Sequence, residues 1–210
     1  VPFSWAVNLY IKIRCMANFK IAEILTGINE GGYANNPADR GGETFAGIAR
    51  KFWPKWEGWK KIDAYKAEYP KLSPALKKRF TLAKWINSSA KVPSEGVTQM
   101  ISDFYRVEFW LANKLDQIRD QQLANTIYDF GVNSGKGRAV QFLEQIFGVK
   151  KDGIMDPVVI ALANKANAKT IYNKYNAARE AAYRSWAVGD QAQFLRSWLS
   201  RLEPYIENAA

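Results

Sequence analysis

The stretch from Glu30 to Ile48 reads EGGYANNPADRGGETFAGI and constrains the chain more than any other. Nineteen residues hold five glycines, one proline and three acids, between two segments of helical pattern. Glycines in such number let a backbone turn sharply and approach a ligand closely, and Pro37 to Arg40 and Gly41-Gly42 are turn formers. The spacing predicts a small irregular hairpin lobe, with whatever β-structure the protein has confined to it. Glu30 stands just beyond a predicted helix end and Asp39 follows after eight intervening residues. Such a hairpin would hold the two carboxylates on opposite walls of a cleft; a tight structural turn and nothing more is the plainer alternative.

What the chain lacks narrows the chemistry. There is no histidine, so serine and cysteine triads, imidazole bases and His-ligated zinc drop out together. The single Cys15 can neither close an internal disulfide nor build a thiolate metal site. No acidic cluster resembles a calcium loop, so neither metal nor cofactor is expected. Acid and base work then falls to carboxylates. At 210 residues and 48% hydrophobic content the chain can bury its own core, and with 8 Trp, 10 Tyr and 11 Phe it has aromatic faces to spare for stacking on sugars or bases. A net charge of +10 calls for a polyanionic partner, whether nucleic acid, an acidic membrane surface or a bacterial wall. The basic residues are dispersed and match no nucleic-acid motif, so nucleic acid is not the expected partner.

Residues 1–17 read as an N-terminal extension, of which 1–15 precede Met16-Ala17-Asn18. Lys12 and Arg14 follow its apolar run where an export signal would place charge before it, and the run is too short to span a bilayer. After it the pattern is helical. Ile21, Ile24, Leu25 and Ile28 form a stripe over 18–28, and further helices are expected at 48–52, 59–69 and 75–86. Ser94 would cap a helix with the stripe Val97, Ile101, Phe104, Val107, Phe109 and Leu111, running to about Leu115. Helices at 119–133 and 138–147 precede a turn at Asp152-Gly153. Asp156-Pro157 opens another helix, and two more span 168–187 and 191–207, with Pro204 kinking the last. The expected organisation is a region 18–115 that carries the loop and a helical region 116–210 packed into the same fold.

Cleaving a glycosidic bond takes a proton for the leaving oxygen and a carboxylate beside a cationic sugar. Glu30, at the end of an apolar helix, suits the acid; Asp39, amid Arg40 and glycine amides, suits the anion. A hydroxyl at Thr44 could hold the attacking water. Asp39 capping its own loop and Thr44 as a plain strand residue stay open as alternatives. Glu43 is expected to face solvent. Tyr33, Trp53, Trp56 and Trp59 could stack on sugars or fill the core. Asn133 could bind an N-acetyl group or cap its helix, and Tyr128 and Asp129 could brace a groove.

The pattern Glu30-x8-Asp39-x4-Thr44, with Gly31-Gly32-Tyr33, Pro37, Gly41-Gly42 and Gly47-Ile48, resembles the family 108 glycoside hydrolases. These are lysozyme-like N-acetylmuramidases, also labelled secretion activators. Residues 128–135, 139–143 and 152–153 resemble the associated C-terminal region, described as peptidoglycan-binding; Ile154 to Pro157 departs from its glycine pattern. The resemblance implies a mostly α (α+β) lysozyme-like fold, a multi-helix body with a small irregular β-hairpin lobe. It implies hydrolysis of the β-1,4 bond between N-acetylmuramic acid and N-acetylglucosamine, with Glu30 as acid by the family motif and Asp39 and Thr44 by analogy. Substrate contacts would come from Tyr33, Trp53, Tyr128 and Asn133. The implied partner is the peptidoglycan glycan strand, met by a monomer at the wall by an export route left open. A lytic transglycosylase, or a non-catalytic wall-binding or secretion-accessory protein, are the alternatives.

Overall fold

The computed structural model describes residues 16–27, 32–35, 42–88 and 96–207. The chain forms two compact units: Thr26–Val107, and the residues up to Leu25 together with Glu108 onward.

In the first unit the strands β1 (Tyr33–Asn35), β2 (Glu43–Phe45) and β3 (Ile48–Ala49) form an antiparallel sheet in the order β1-β2-β3. Tyr33 pairs with Phe45, Ala34 with Thr44 and Asn35 with Glu43; Phe45 and Thr44 pair in turn with Ile48 and Ala49. Side chains alternate across a pleated sheet, so Tyr33, Glu43, Phe45 and Ile48 share one face and Thr44 shares the other with Ala34 and Ala49. The 48–52 segment, expected as a helix, begins as this third strand. Its cause lies just upstream, where Ala46 and Gly47 both take positive φ, 48° and 76°. That is the mirror-image two-residue turn whose twist matches paired strands.

Helix α2 (Gly58–Glu68) follows, burying Trp59, Ile62 and Tyr65. The helix expected at 75–86 is two, α3 (Pro74–Arg79) and α4 (Leu82–Ser88). Phe80 is extended between them, and the Thr81 hydroxyl accepts from the Lys84 amide at 3.3 Å to start the second. Helix α5 (Thr98–Tyr105) continues as a π-type turn over Arg106–Leu111. The wider turn shifts the apolar register. Val107, expected in the buried stripe, is 51% exposed, whereas Trp110, five residues after Tyr105, is buried.

The second unit contains α1 (Phe19–Thr26), α6 (Gln121–Ser134), α7 (Lys136–Phe147), α8 (Pro157–Lys165), α9 (Ala168–Trp186) and α10 (Leu195–Leu199). Side-chain caps set the helix starts: Asp120 accepts from Leu123 N, Asp156 from Val159 N ahead of Pro157, and Asn167 from Thr170 N. Gly148, at φ 68°, ends α7. The stripe expected on α1 faces outward: Ile21, Ile24 and Leu25 are exposed, and Phe19, Ala22 and Glu23 are buried. Phe19 decides the rotation by packing edge-on against Trp110 and Tyr128, with centroids 5.9 and 5.8 Å away. The Gln121 side chain pins the start of α1, accepting from Asn18 N at 2.6 Å and donating to Asn18 O at 3.0 Å.

The helix expected over 191–207 is short, because the chain leaves it before Pro204 and runs on without helix. There Ile206 exchanges two hydrogen bonds with the Gln122 side chain and Glu203 O accepts from Tyr172. Arg179, fully buried in α9, is stabilised by Thr126 Oγ1 at 2.6 Å, Tyr183 OH at 2.9 Å and the Asp129 carboxylate at 2.5 Å.

Candidate active site

Glu30 and Asp39 lie outside the described residues; Asp39 belongs to the connection between β1 and β2. The strands flanking that connection are fixed from several directions. Gly32 precedes β1 because a Cβ there would fall 2.4 Å from Asn87 Oδ1. That space admits the Asn87 side chain, which accepts from Tyr33 N at 2.6 Å and donates to Tyr33 O at 3.2 Å. The amide acts as a short extra strand and closes the free edge of β1. At the β2–β3 turn Tyr105 OH donates to Ala46 O at 2.8 Å, and a Cβ on Gly47 would lie 2.6 Å from that hydroxyl. Gly47 therefore answers both a positive φ and a close approach.

Thr44 is half-exposed at the centre of β2, flanked by Ala34 and Ala49, two methyl side chains that leave room around its hydroxyl. On the opposite face Glu43 is the hub of a polar network and does not face solvent as expected; its side chain is 14% exposed. Tyr33 OH donates to its Oε1 at 2.9 Å and Lys66 Nζ to the same oxygen at 2.6 Å; Arg50 Nε lies 2.8 Å from Oε2. Arg50 in turn grips Asp63 with both terminal nitrogens, at 3.1 and 2.6 Å, and lies 4.4 Å from the centre of the Trp59 ring. Trp59, Asp63 and Lys66 come up along one side of α2 at helical spacing, so the network ties sheet to helix. Burial, with the hydrogen bond to Glu43 and its charge next, raises the Tyr33 phenol to about 12. Tyr33 thus stays a proton donor, and Glu43 is held between two cations, Arg50 and Lys66.

The aromatic candidates separate by burial. Tyr33 turns its ring into the core and is 4% exposed. Trp59 is buried and donates to Trp53 O at 2.8 Å; Trp53 and Trp56 are half-buried, Trp53 meeting Phe104 edge-on at 4.9 Å. In the second unit Tyr128 is fully buried against Phe19 and Trp110, so it fills core and offers no face to a substrate. Asp129 is engaged by Arg179 and by Arg201 at 2.7 Å. Asn133 is exposed, its amide donating to Asp129 O at 2.7 Å within α6. Asn87 and Tyr105 were not singled out in the sequence. The clash-forming glycines Gly32 and Gly47 were its only trace of them.

Among the described residues no group of acidic or sulfur side chains is arranged to hold a metal ion, and no helix is long and apolar enough to cross a membrane. A mostly helical fold with a small three-stranded antiparallel sheet is of the lysozyme-like class. The chain belongs to the glycosyl hydrolase 108 family, which it matches over residues 23–135, and so to the peptidoglycan hydrolases at the level of the family. It is similar to the solved structure of Brucella abortus SagA, with 27% identity, a TM-score of 0.59 and 88% of each chain covered. No curated protein matches it.

Proposed function

We propose that the protein hydrolyses the β-1,4 bond between N-acetylmuramic acid and N-acetylglucosamine. Glu30 protonates the leaving oxygen, Asp39 acts as base or electrostatic stabiliser, and Thr44 holds the attacking water. The observation that carries this reading is the family match over 23–135, which contains all three residues. The sheet supports it: Thr44 sits half-exposed between two alanines, and Glu43, the acid next to it in sequence, is fully occupied and so is no rival for the acid's role. Trp53 and Asn133 are proposed to contact the sugars, and the unit from Glu108 onward to add wall binding. Tyr33 holds the sheet from within. No cofactor enters, a monomer suffices, and the protein works at the wall.

The reading is tested by digesting purified peptidoglycan with the wild type, Glu30→Gln, Asp39→Asn and Thr44→Val and weighing the fragments. Fragments with reducing muramic ends should come from the wild type and vanish with Glu30→Gln. Anhydro ends would make it a transglycosylase, and a wild type that releases nothing would make it a binding protein.

A further inference from the structure

We propose that the surface centred on α3 is an electrostatic docking site for the carboxylates of the peptide stems carried on the glycan strand. This rests on peptidoglycan being the substrate. Between Glu68 and Glu95 the sequence contains no acid and six cations, of which Lys71, Lys77, Lys78, Arg79 and Lys84 are among the described residues. All five are exposed, and among the described residues none forms an ion pair. The same unit pairs Arg50, Lys60 and Lys66 with nearby acids, whereas this stretch of sequence offers its cations no acid at all.

Helix α3 buries no residue, so its packing does not explain it. It is nevertheless held firmly at both ends. Ser73 Oγ accepts from Leu76 N at 3.4 Å, Lys77 Nζ donates to Pro70 O at 2.6 Å, and Tyr69 OH donates to Phe80 O at 2.7 Å. The negative end of the helix dipole accounts for cations in its last turn. It does not reach Lys71 or Lys84. A rigid, all-cationic platform of like charges is repulsive when bare and is relieved by an anionic strand laid along it. Four of the five cations are lysines, point charges suited to dispersed carboxylates, whereas closely spaced phosphates favour the arginine fork. Arg79 lies over the Phe80 ring at 5.3 Å, Phe80 meets Trp85 edge-on at 6.2 Å, and Leu76 is 39% exposed. Apolar surface is thus interleaved with the charge, as the small aliphatic side chains of such stems require.

The test measures binding in a Glu30→Gln background, so that the wall is not consumed. Wild-type and Lys71→Gln/Lys78→Gln/Lys84→Gln proteins are bound to intact sacculi, to sacculi stripped of stems by an amidase, and to sacculi with amidated stem carboxylates, across a salt series. Lys55→Gln/Lys60→Gln/Lys61→Gln, lysines of the same unit outside this stretch, is the control of equal charge change. The α3 variant should bind intact walls about tenfold more weakly at low salt, three exposed charge pairs of ordinary strength, and like wild type at high salt. Stripped and amidated walls should bind the two equally, and the control should behave as wild type. An equal loss in the control would reduce the effect to net charge and overturn the proposal. So would an α3 variant that still prefers stem-bearing walls, or one whose only loss is toward duplex DNA or phosphate-rich polymer. Digestion by the Glu30 form is scored separately: stem-dependent binding without cleavage overturns the hydrolase reading alone, and cleavage without it overturns this one alone.

Discussion

Glu43 and Thr44 are neighbours in sequence on opposite faces of β2, and the division of labour between them follows from that alternation. Tyr33 from β1 and Lys66 from α2 donate to Glu43, and Arg50, the residue after β3, lies against it as an ion pair. Glu43→Gln keeps the shape and removes the charge, leaving Arg50 and Lys66 partly uncompensated. A loss of about 2 kcal/mol in urea unfolding is expected, with Glu43→Ala costing more; no change in either would mean the network is ornamental. Tyr33 carries a pH signature. Its phenol is raised to about 12 in the folded protein, by burial first and Glu43 second, from 10.0 when unfolded. The stability it contributes is therefore complete below pH 10 and fades as pH rises through 12. In unfolding curves between pH 9 and 11.5, Tyr33→Phe should lose less stability with pH than wild type. At this scale the sequence was legible where a residue's role is local, as with the cap at Asp156 ahead of Pro157. It misplaced Glu43, expected to face solvent, because its partners Tyr33, Arg50 and Lys66 are brought together only by folding.

Among the elements, the turn at Ala46-Gly47 and the π-type turn at 106–111 explain two of the departures from the pattern. A single-residue test separates them from accident. Gly47→Ala must meet both the positive φ and the Tyr105 hydroxyl, and should cost more than about 1 kcal/mol. Gly47→Ala/Tyr105→Phe should recover part of that, since only the clash is relieved, and strict additivity of the two changes would contradict the contact. Likewise Val107→Lys should stay within about 0.5 kcal/mol of wild type while Trp110→Ala costs about 3 to 5 kcal/mol. A straight helix with the stripe read from sequence predicts Val107 to be the costly one. Periodicity located these helices because a buried face repeats every three to four residues. It missed the rotation of α1, where one aromatic contact by Phe19 outweighs the outward stripe of Ile21, Ile24 and Leu25, and it missed the wider turn, which local pattern does not encode.

For the whole molecule, the helical body and the small sheet followed from sequence because the glycine-rich stretch admits little else, and membership of the glycosyl hydrolase 108 family agrees with it. The division of the chain was less legible: α1 belongs with residues 108 onward, a long-range association that no linker composition marks. In the proposed reaction, water held at Thr44 attacks the anomeric carbon while Glu30 protonates the leaving oxygen. The most direct measurement is digestion of peptidoglycan in ¹⁸O-labelled water followed by mass analysis of the muramic ends. One heavy oxygen is expected at the new reducing end of every fragment, its appearance slowed in Thr44→Val and abolished in Glu30→Gln; unlabelled anhydro ends, or label appearing undiminished without Glu30, would overturn the proposed reaction.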